Sequence, residues 1–141
     1  MPKRVRAIII EEGKVLLMHR TKNGLEYWAF PGGAIDNIDK DPEDALKREC
    51  KEELGVEVEI VDLYIETESR APTALGDIEY FYNCKIIDGV VGTGEGEEFT
   101  NRDIEKYGTY KVEWLPLNTI KDKNVWPIEV RDKILLDSRI F

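Results

Sequence analysis

The stretch that decides the fold is "RECKEELGVEV", residues 48–58, which places one arginine and three glutamates within six positions. Each residue of an α-helix advances by roughly 100°, so with Glu49 at zero, Glu52 lies at about −60° and Glu53 at about +40°. The apolar stripe of the same helix consists of Leu46, Cys50 and Leu54. The three carboxylates are therefore expected at the border between the buried stripe and the exposed surface.

Three carboxylates on one helix face repel one another, by about 0.2–0.5 kcal/mol for each neighbouring pair in water. Partial burial raises that cost, and the single arginine, Arg48, cannot neutralise three negative charges. Mg²⁺ and Mn²⁺ prefer oxygen ligands and would remove the repulsion. The pattern thus indicates a divalent metal site on Glu49, Glu52 and Glu53. The alternative is a glutamate-rich helix face that is simply solvated.

Local signals place both ends of this helix. Asp41 is a candidate N-cap, Pro42 fits the first helical position, and the two acidic residues that follow face the positive end of the helix dipole. Gly55 is typical of the left-handed residue that ends a helix. The predicted helix covers residues 42–54.

The remaining pattern predicts a mixed sheet with helices packed against it. Two apolar runs, residues 5–10 and 14–20, flank "EEG" and predict a hairpin. Further elements are predicted as a short strand ending at Pro31, strands at 56–68, 77–87 and 109–117, and a closing helix at 127–138. We find no repeat or linker in the sequence, which predicts a single domain over residues 1–141.

Composition bounds the class of protein and its partners. The chain has 141 residues, 42% of them hydrophobic and 35% charged, as in ordinary soluble globular proteins. A net charge of −9 argues against a nucleic-acid partner, and apolar runs such as "AIII" are too short to cross a membrane. Cys50 and Cys84 fit no metal-ligand spacing and are expected to be reduced core thiols, which predicts a cytoplasmic protein.

The segment around the three glutamates resembles the Nudix box, G-x5-E-x7-R-E-U-x-E-E-x-G-U, where U is a bulky apolar residue. "RECKEELGV", residues 48–56, matches the second half of the box at every fixed position, with Cys50 as the apolar residue. Upstream, "WAFPGG" resembles the strand and turn that enter the box. The resemblance places the box at residues 33–56 in a member of the Nudix (MutT-like) hydrolase superfamily. It implies an α/β fold, the Nudix α/β/α sandwich with a mixed central β-sheet flanked by helices.

The first half of the box departs from the pattern. Lys40 stands where the first glutamate is expected, and the spacing from Gly33 to Arg48 is one residue longer than in the box. The loop "GAIDNIDKDP" therefore carries an insertion, and Asp39 or Asp36 is the candidate for the missing acid. In the family this acid supports the loop and the arginine, so the departure affects loop geometry more than chemistry.

Nudix enzymes hydrolyse a nucleoside diphosphate linked to another moiety and use divalent metal ions, so the resemblance implies this activity here. Glu49, Glu52 and Glu53 would hold Mg²⁺ or Mn²⁺, with the backbone carbonyl of Gly33 as a further ligand. Arg48 would orient Glu49 through a charge-assisted hydrogen bond. The metal would neutralise the substrate's phosphate oxygens despite the negative charge of the chain.

The remaining site residues are less specific. The general base is either Glu49 or a glutamate of the "GEGEEF" loop, Glu97 or Glu98. Arg20, near the end of the second strand, is a candidate for binding a substrate phosphate, and the alternative is a plain surface cation. Trp28 is a candidate for stacking on a base, although aromatic residues in strands more often belong to the core.

Several alternatives stay open at this level. The first is a non-catalytic Nudix-fold module that binds or senses a nucleotide. An isopentenyl diphosphate type of isomerase would need additional cysteine and histidine ligands, and mRNA decapping would need a basic groove. The substrate is expected to be a nucleotide-type small molecule, with oxidised nucleoside triphosphates, ADP-ribose, dinucleoside polyphosphates and nucleotide sugars all possible. A homodimer is a further expectation from the family.

Overall fold

The computed structural model describes residues 3–69, 75–92 and 109–137. The predicted hairpin, the long strands and both predicted helices are present within these ranges, together with two short strands. In chain order the elements are β1 (Lys3–Glu11), β2 (Lys14–Lys22), β3 (Leu25–Ala29), β4 (Gly32–Ala34), α1 (Pro42–Leu54), β5 (Val56–Glu68), β6 (Ile78–Gly89), β7 (Thr109–Pro116), a 3₁₀ helix (Leu117–Asp122), β8 (Val125–Trp126) and α2 (Ile128–Asp137).

The strands form a mixed sheet in the order β5-β6-β1-β2-β3-β8, with β4 added to β1 and β7 added to β2. β1 runs parallel to β6, whereas β2 runs antiparallel to β1, β3 and β7. One edge of β1 is shared, because β4 pairs with its first half and β2 pairs with its last two residues. The predicted mixed sheet is confirmed.

The two helices cover opposite faces of the sheet, as alternating strand residues require. On β1, Ala7 and Ile9 belong to the core cluster that contains the buried residues of α1, whereas Ile8 belongs to the cluster that contains those of α2. We call these the α1 face and the α2 face. The α/β/α sandwich implied by the sequence is therefore the observed architecture.

The bounds of α1 agree with the prediction from local signals. The Asp41 side chain accepts a hydrogen bond from the Asp44 amide, and Pro42 occupies the first turn. Gly55 ends the helix in the left-handed conformation, with φ at 77°, and its amide donates to the Lys51 carbonyl. The capping residues thus mark both ends of the helix that carries the glutamates.

Two details of the strand prediction were wrong. The third strand ends at Ala29 and not at Pro31, because Phe30 and Pro31 form a turn and proline has no amide to donate to a sheet. The turn leads into β4, a three-residue strand that the sequence did not predict. Neither β4 nor the two-residue β8 is long enough to show an alternating pattern. In the described part of the chain, no helix is long and apolar enough to cross a membrane.

Candidate active site

Arg48 contacts carboxylates both in the loop before α1 and on α1 itself. Its Nε donates to Asp39 Oδ1 and its Nη2 donates to Asp39 Oδ2, both at 2.9 Å, which makes a bidentate pair. The Asp39 side chain is only 2% exposed, and Asp36 Oδ2 is more distant, at 3.7 Å from Nη2. Asp39 therefore supplies the acid that Lys40 does not, which decides between the two candidates.

The pairing changes the ionisation of both partners. The hydrogen bond from Arg48 holds the pKa of Asp39 below its ordinary value, and the amide of Asp36 donates to the same carboxylate. The Asp39 carboxylate in turn raises the pKa of Arg48 above its ordinary value, with Glu49 adding to the effect. Both groups are charged at neutral pH, so the loop before α1 is tied to the helix by an ion pair.

The same guanidinium reaches two of the three glutamates. Arg48 Nη1 lies 3.0 Å from Glu49 Oε1 and 3.4 Å from Glu52 Oε2, and Nη2 donates to the Ala34 carbonyl at 3.2 Å. The predicted contact between Arg48 and Glu49 is therefore present. The shared cation reduces the repulsion between neighbouring carboxylates of α1.

Glu53 is held differently, inside the protein. It is 3% exposed, and its Oε1 accepts a hydrogen bond from the Gly32 amide at 2.9 Å. The hydroxyl of Tyr110, on β7, donates to its Oε2 at 3.3 Å. Burying a carboxylate is costly unless its oxygens are hydrogen-bonded, and these two donors supply that compensation.

Gly33 leaves room for the carboxylate of Glu49. A Cβ atom at Gly33 would lie 2.8 Å from the carboxylate carbon and both carboxylate oxygens of Glu49, closer than real Cβ contacts allow. Gly32, at φ 145°, adopts a conformation that favours glycine, and a Cβ there would overlap the Val5 carbonyl oxygen. The glycine pair thus brings its backbone directly against two of the glutamates.

The three carboxylates differ in exposure more than the helical wheel predicted. The Glu52 side chain is 50% exposed and that of Glu49 is 14% exposed, while Glu53 is buried. All three were expected at the border of the core stripe. Glu53 departs from that expectation because β4 and β7 contribute residues that contact its carboxylate, and these strands lie far from it in sequence.

The donor set fits a divalent cation. Three carboxylates and the backbone of Gly33 offer only oxygen ligands, the chemistry that Mg²⁺ and Mn²⁺ prefer, and the cradle at Gly33 has no side chain to obstruct it. Within residues 3–69, 75–92 and 109–137, no three histidine, cysteine or acidic side chains already converge as metal ligands.

Arg20 lies on the α1 face, next to this cluster. It pairs across the sheet with Tyr27 of β3 and with Tyr110 of β7. Its guanidinium carbon is 4.7 Å from the centre of the Tyr110 ring and 6.0 Å from that of Tyr27. Because Tyr110 also donates to Glu53, one tyrosine connects the predicted phosphate-binding arginine to a predicted metal ligand.

A row of side chains on the α1 face begins with Arg20, Tyr110 and Tyr27 and ends with Trp126. Tyr27 stacks on Trp126 of β8 at 5.2 Å between ring centres. Trp28, the residue predicted to stack on a base, instead lies in the core cluster of the α2 face, where its ring stacks on His19 at 4.3 Å. The structure brings Arg20 to the site and does not bring Trp28 there. Glu97 and Glu98 lie outside the described residues.

A comparison with known families decides the classification. The sequence profile of the NUDIX domain matches residues 1–134 of this chain. The chain belongs to the NUDIX domain family. Hydrolases of this family act on phosphoric anhydride bonds.

Two curated proteins are similar in sequence. A MutT-like protein of Streptomyces ambofaciens is 34% identical over 86 residues, which make up 61% of this chain and 52% of that protein. An RNA pyrophosphohydrolase of Methylococcus capsulatus is 39% identical over 57 residues, 40% of this chain and 28% of that protein. The chain thus spans about half the length of the first relative and just over a quarter of the second.

The fold is shared with solved Nudix structures. A NUDIX hydrolase from Nitrosomonas europaea matches with a TM-score of 0.74 at 14% identity, covering 99% of this chain and 88% of that one. At such low identity the likeness shows the fold alone. The predicted membership of the Nudix superfamily and the predicted α/β/α sandwich are both confirmed.

Sequence reasoning did not place Tyr110 or Tyr27 at this Nudix site. Tyr110 reaches Glu53 through the pairing of β2 with β7, which joins segments about 90 residues apart in the chain. The asparagine and glycine at 23–24, a strong hairpin signal, could have placed Tyr27 beside Arg20. No local signal places Trp126, because β8 has only two residues.

Proposed function

We propose that this Nudix protein is a divalent-metal-dependent hydrolase that cleaves a diphosphate linkage in a nucleoside diphosphate derivative. The observation that carries the proposal is that Glu53 and Glu49 of α1 lie against the backbone of Gly32 and Gly33, while Arg48 contacts Glu49 and Glu52. Family membership gives the class of bond. The assignment of residues to roles rests on the resemblance to the Nudix box, and the contacts of Arg48, Glu49 and Glu53 support it.

Glu49, Glu52 and Glu53 are the proposed metal ligands, with the carbonyl of Gly33 as a further oxygen. A bound Mg²⁺ or Mn²⁺ would neutralise phosphate oxygens and lower the pKa of an attacking water. Arg48 holds Glu49 and Glu52 in place, and Asp39 holds Arg48. Metal binding would therefore require Glu49 and Glu52 to replace their contact with Arg48 by contact with the metal.

The row on the α1 face supports a nucleotide as substrate. Arg20 supplies a cation for a phosphate beside the metal ligands, and Tyr110 keeps it near Glu53. Tyr27 and Trp126 offer half-buried aromatic surface one strand further on, suited to a base or a ribose. Trp28 is left out of the proposed substrate site, because its ring packs in the core cluster of the α2 face.

Proton transfer from the attacking water needs a base. Glu49 is the candidate among the described residues, because its carboxylate lies against Gly33 and is 14% exposed. Glu98 is the alternative from the sequence. The experiment that separates them compares the pH dependence of the rate for Glu49→Gln and Glu98→Gln, since loss of the base removes the rising limb of the profile.

A substrate panel tests the proposed activity. Oxidised nucleoside triphosphates, ADP-ribose, dinucleoside polyphosphates and nucleotide sugars are incubated with Mg²⁺, with Mn²⁺, or with excess chelator. A 5′-triphosphate RNA belongs in the panel because one relative is named an RNA pyrophosphohydrolase. Hydrolysis in ¹⁸O-labelled water locates the broken bond. Cleavage of a phosphoric anhydride that stops on chelation is expected, and no cleavage of any member would contradict the proposal.

The competing function is a nucleotide-binding module without turnover. The observation in its favour is the contact of Arg48 with Glu49 and Glu52, which partly neutralises these two carboxylates without a metal. Tight nucleotide binding with no product under Mg²⁺ or Mn²⁺ would support this function. The cytoplasmic location and the homodimer stay predictions, checked by fractionation of cells and by sedimentation.

A further inference from the structure

A second buried ion pair lies beneath the site, on strands that carry none of the box residues. Arg6 of β1 donates from Nε to Glu79 Oε2 of β6 at 2.9 Å. Glu79 is 4% exposed and is one of three buried polar or charged residues in the described part of the chain, with Glu53 and Ser69. A buried ion pair contributes little to the stability of a fold, because the cost of desolvating the charges offsets their attraction. Stability therefore does not explain why the pair lies at this position.

The arginine of this pair holds the turn that precedes the glycines. Arg6 Nη1 donates to the Phe30 carbonyl at 3.1 Å. The next residue of the strand, Ala7, donates its amide to the Pro31 carbonyl at 2.8 Å. The turn at Phe30 and Pro31 is thus held by two consecutive residues of β1, and Glu79 fixes the direction of the guanidinium.

The turn at Phe30 and Pro31 positions the Gly32 amide, which donates to Glu53. Arg6 is the partner of Gly32 in the pairing of β1 with β4, and the Gly32 amide donates to Glu53 Oε1. The Gly32 backbone lies so close to β1 that a Cβ would overlap the Val5 carbonyl oxygen. A shift of the turn therefore moves the Gly32 amide away from Glu53.

We propose that the Arg6–Glu79 pair is a positioning device that, through the Phe30 carbonyl and the Gly32 amide, sets the Glu53 carboxylate for metal binding. Neither residue belongs to the proposed metal ligands or substrate contacts. The effect on metal binding rests on the proposed function. The placement of the Gly32 amide by Arg6 rests on geometry alone. Partners of metal ligands commonly matter nearly as much as the ligands themselves.

The chain offers a matched control two residues away. Arg4 Nε donates to Asp77 Oδ2 at 3.0 Å, again linking β1 to the start of β6. The two pairs are similarly shielded, with side chains 26% and 14% exposed for Arg4 and Asp77 and 18% and 5% exposed for Arg6 and Glu79. The hydrogen bond of the Arg4 side chain goes to Asp77 and not to the Phe30–Pro31 turn.

The experiment compares Arg6→Met/Glu79→Gln with Arg4→Met/Asp77→Asn, since removing both charges leaves no buried charge unpaired. Amide hydrogen exchange of Gly32 is measured by NMR without metal, with the Leu17 amide on β2 as a reporter of global stability. Mn²⁺ affinity is measured by the EPR signal of the free ion. The first variant is expected to lose about tenfold in Gly32 protection relative to Leu17 and about tenfold in Mn²⁺ affinity, and the second neither.

Equal Gly32 protection in the two double variants overturns the inference, and so does lost protection with unchanged Mn²⁺ affinity. If the wild-type protein binds no Mn²⁺ and hydrolyses nothing, the proposed function fails, while the Gly32 exchange still decides the positioning. Arg6→Lys covers the case of poor folding. It keeps the charge beside Glu79 but replaces two contacting nitrogens by one, and Gly32 protection is expected to fall here also.

Discussion

Asp39 shows how a single residue restores a contact that the Nudix box assigns to a different position. It lies one position before Lys40, in a loop one residue longer than the box, and reaches Arg48 with both carboxylate oxygens. The side chain is nearly inaccessible to solvent. The longer loop and the shorter acid therefore compensate for each other, and Arg48 keeps its place beside Glu49.

Asp39→Asn is expected to lower the free energy of unfolding by about 1–3 kcal/mol at neutral pH, because a hydrogen-bonded charge is lost. Arg48 lowers the pKa of Asp39 in the folded protein, so the ion pair stabilises fully above the ordinary aspartate value and less as pH falls through the lowered pKa. Urea unfolding from pH 7 down to pH 2 should show the two proteins converging below about pH 4. A gap that stays constant with pH would contradict the pairing.

Tyr110→Phe keeps the ring beneath Arg20 and removes the hydroxyl that donates to Glu53. A buried carboxylate then lacks one donor, so the Mg²⁺ concentration for half-maximal activity should rise about tenfold. Tyr64→Phe on β5 is the control, since its hydroxyl donates to Asp137 of α2, on the other face of the sheet. An unchanged Mg²⁺ dependence in Tyr110→Phe would remove Tyr110 from the site.

At the scale of elements, the sequence predicted helices and strands that depend on contacts between residues close in the chain, and it missed those that depend on distant residues. α1 was predicted to the residue because its caps, Asp41 and Gly55, act within a few positions. β4 was not predicted, since three residues with two glycines carry no strand pattern and are a strand only because β1 accepts them. The burial of Glu53 was missed for the same reason: its donors, Gly32 and Tyr110, come from elsewhere in the chain.

Gly33→Ala tests the close approach of β4 to α1. The added methyl group would displace the Glu49 carboxylate, which lies 2.8 Å from the Cβ position. Mg²⁺-dependent activity is expected to fall at least about tenfold, while urea unfolding changes by no more than about 1–3 kcal/mol. Ala34→Ser, an exposed change on the same strand, is the control. Activity equal to that of the control would show that Glu49 does not need its place at Gly33.

At the scale of the whole molecule, the two faces of the sheet have separate tasks. The α1 face carries the glutamates and the row from Arg20 to Trp126, while α2, His19 and Trp28 pack on the other face. The net charge of −9 would repel an anionic substrate, and a cation bound at the proposed acidic site would resolve that conflict locally. The charge of the chain was readable from composition, but the division between faces needed the sheet topology.

Metal binding should stabilise the entire domain, because a ligand that binds only the folded state shifts the unfolding equilibrium. At Mg²⁺ concentrations about 100 times its Kd, the expected gain is about 2.7 kcal/mol in the free energy of unfolding. Thermal unfolding with and without Mg²⁺ measures it, and Glu52→Gln should lose most of the gain. An equal gain in this variant and the wild type would place the metal elsewhere.

The central claim is tested most directly by the rate of Mg²⁺-dependent hydrolysis in Glu52→Gln and Glu53→Gln, measured with the best substrate of the panel. Glu43→Gln, an exposed acid on the first turn of the same helix, is the matched control. We expect the first two variants to fold but to release no product above background, while Glu43→Gln keeps the wild-type rate. Full activity in either Glu52→Gln or Glu53→Gln would contradict it.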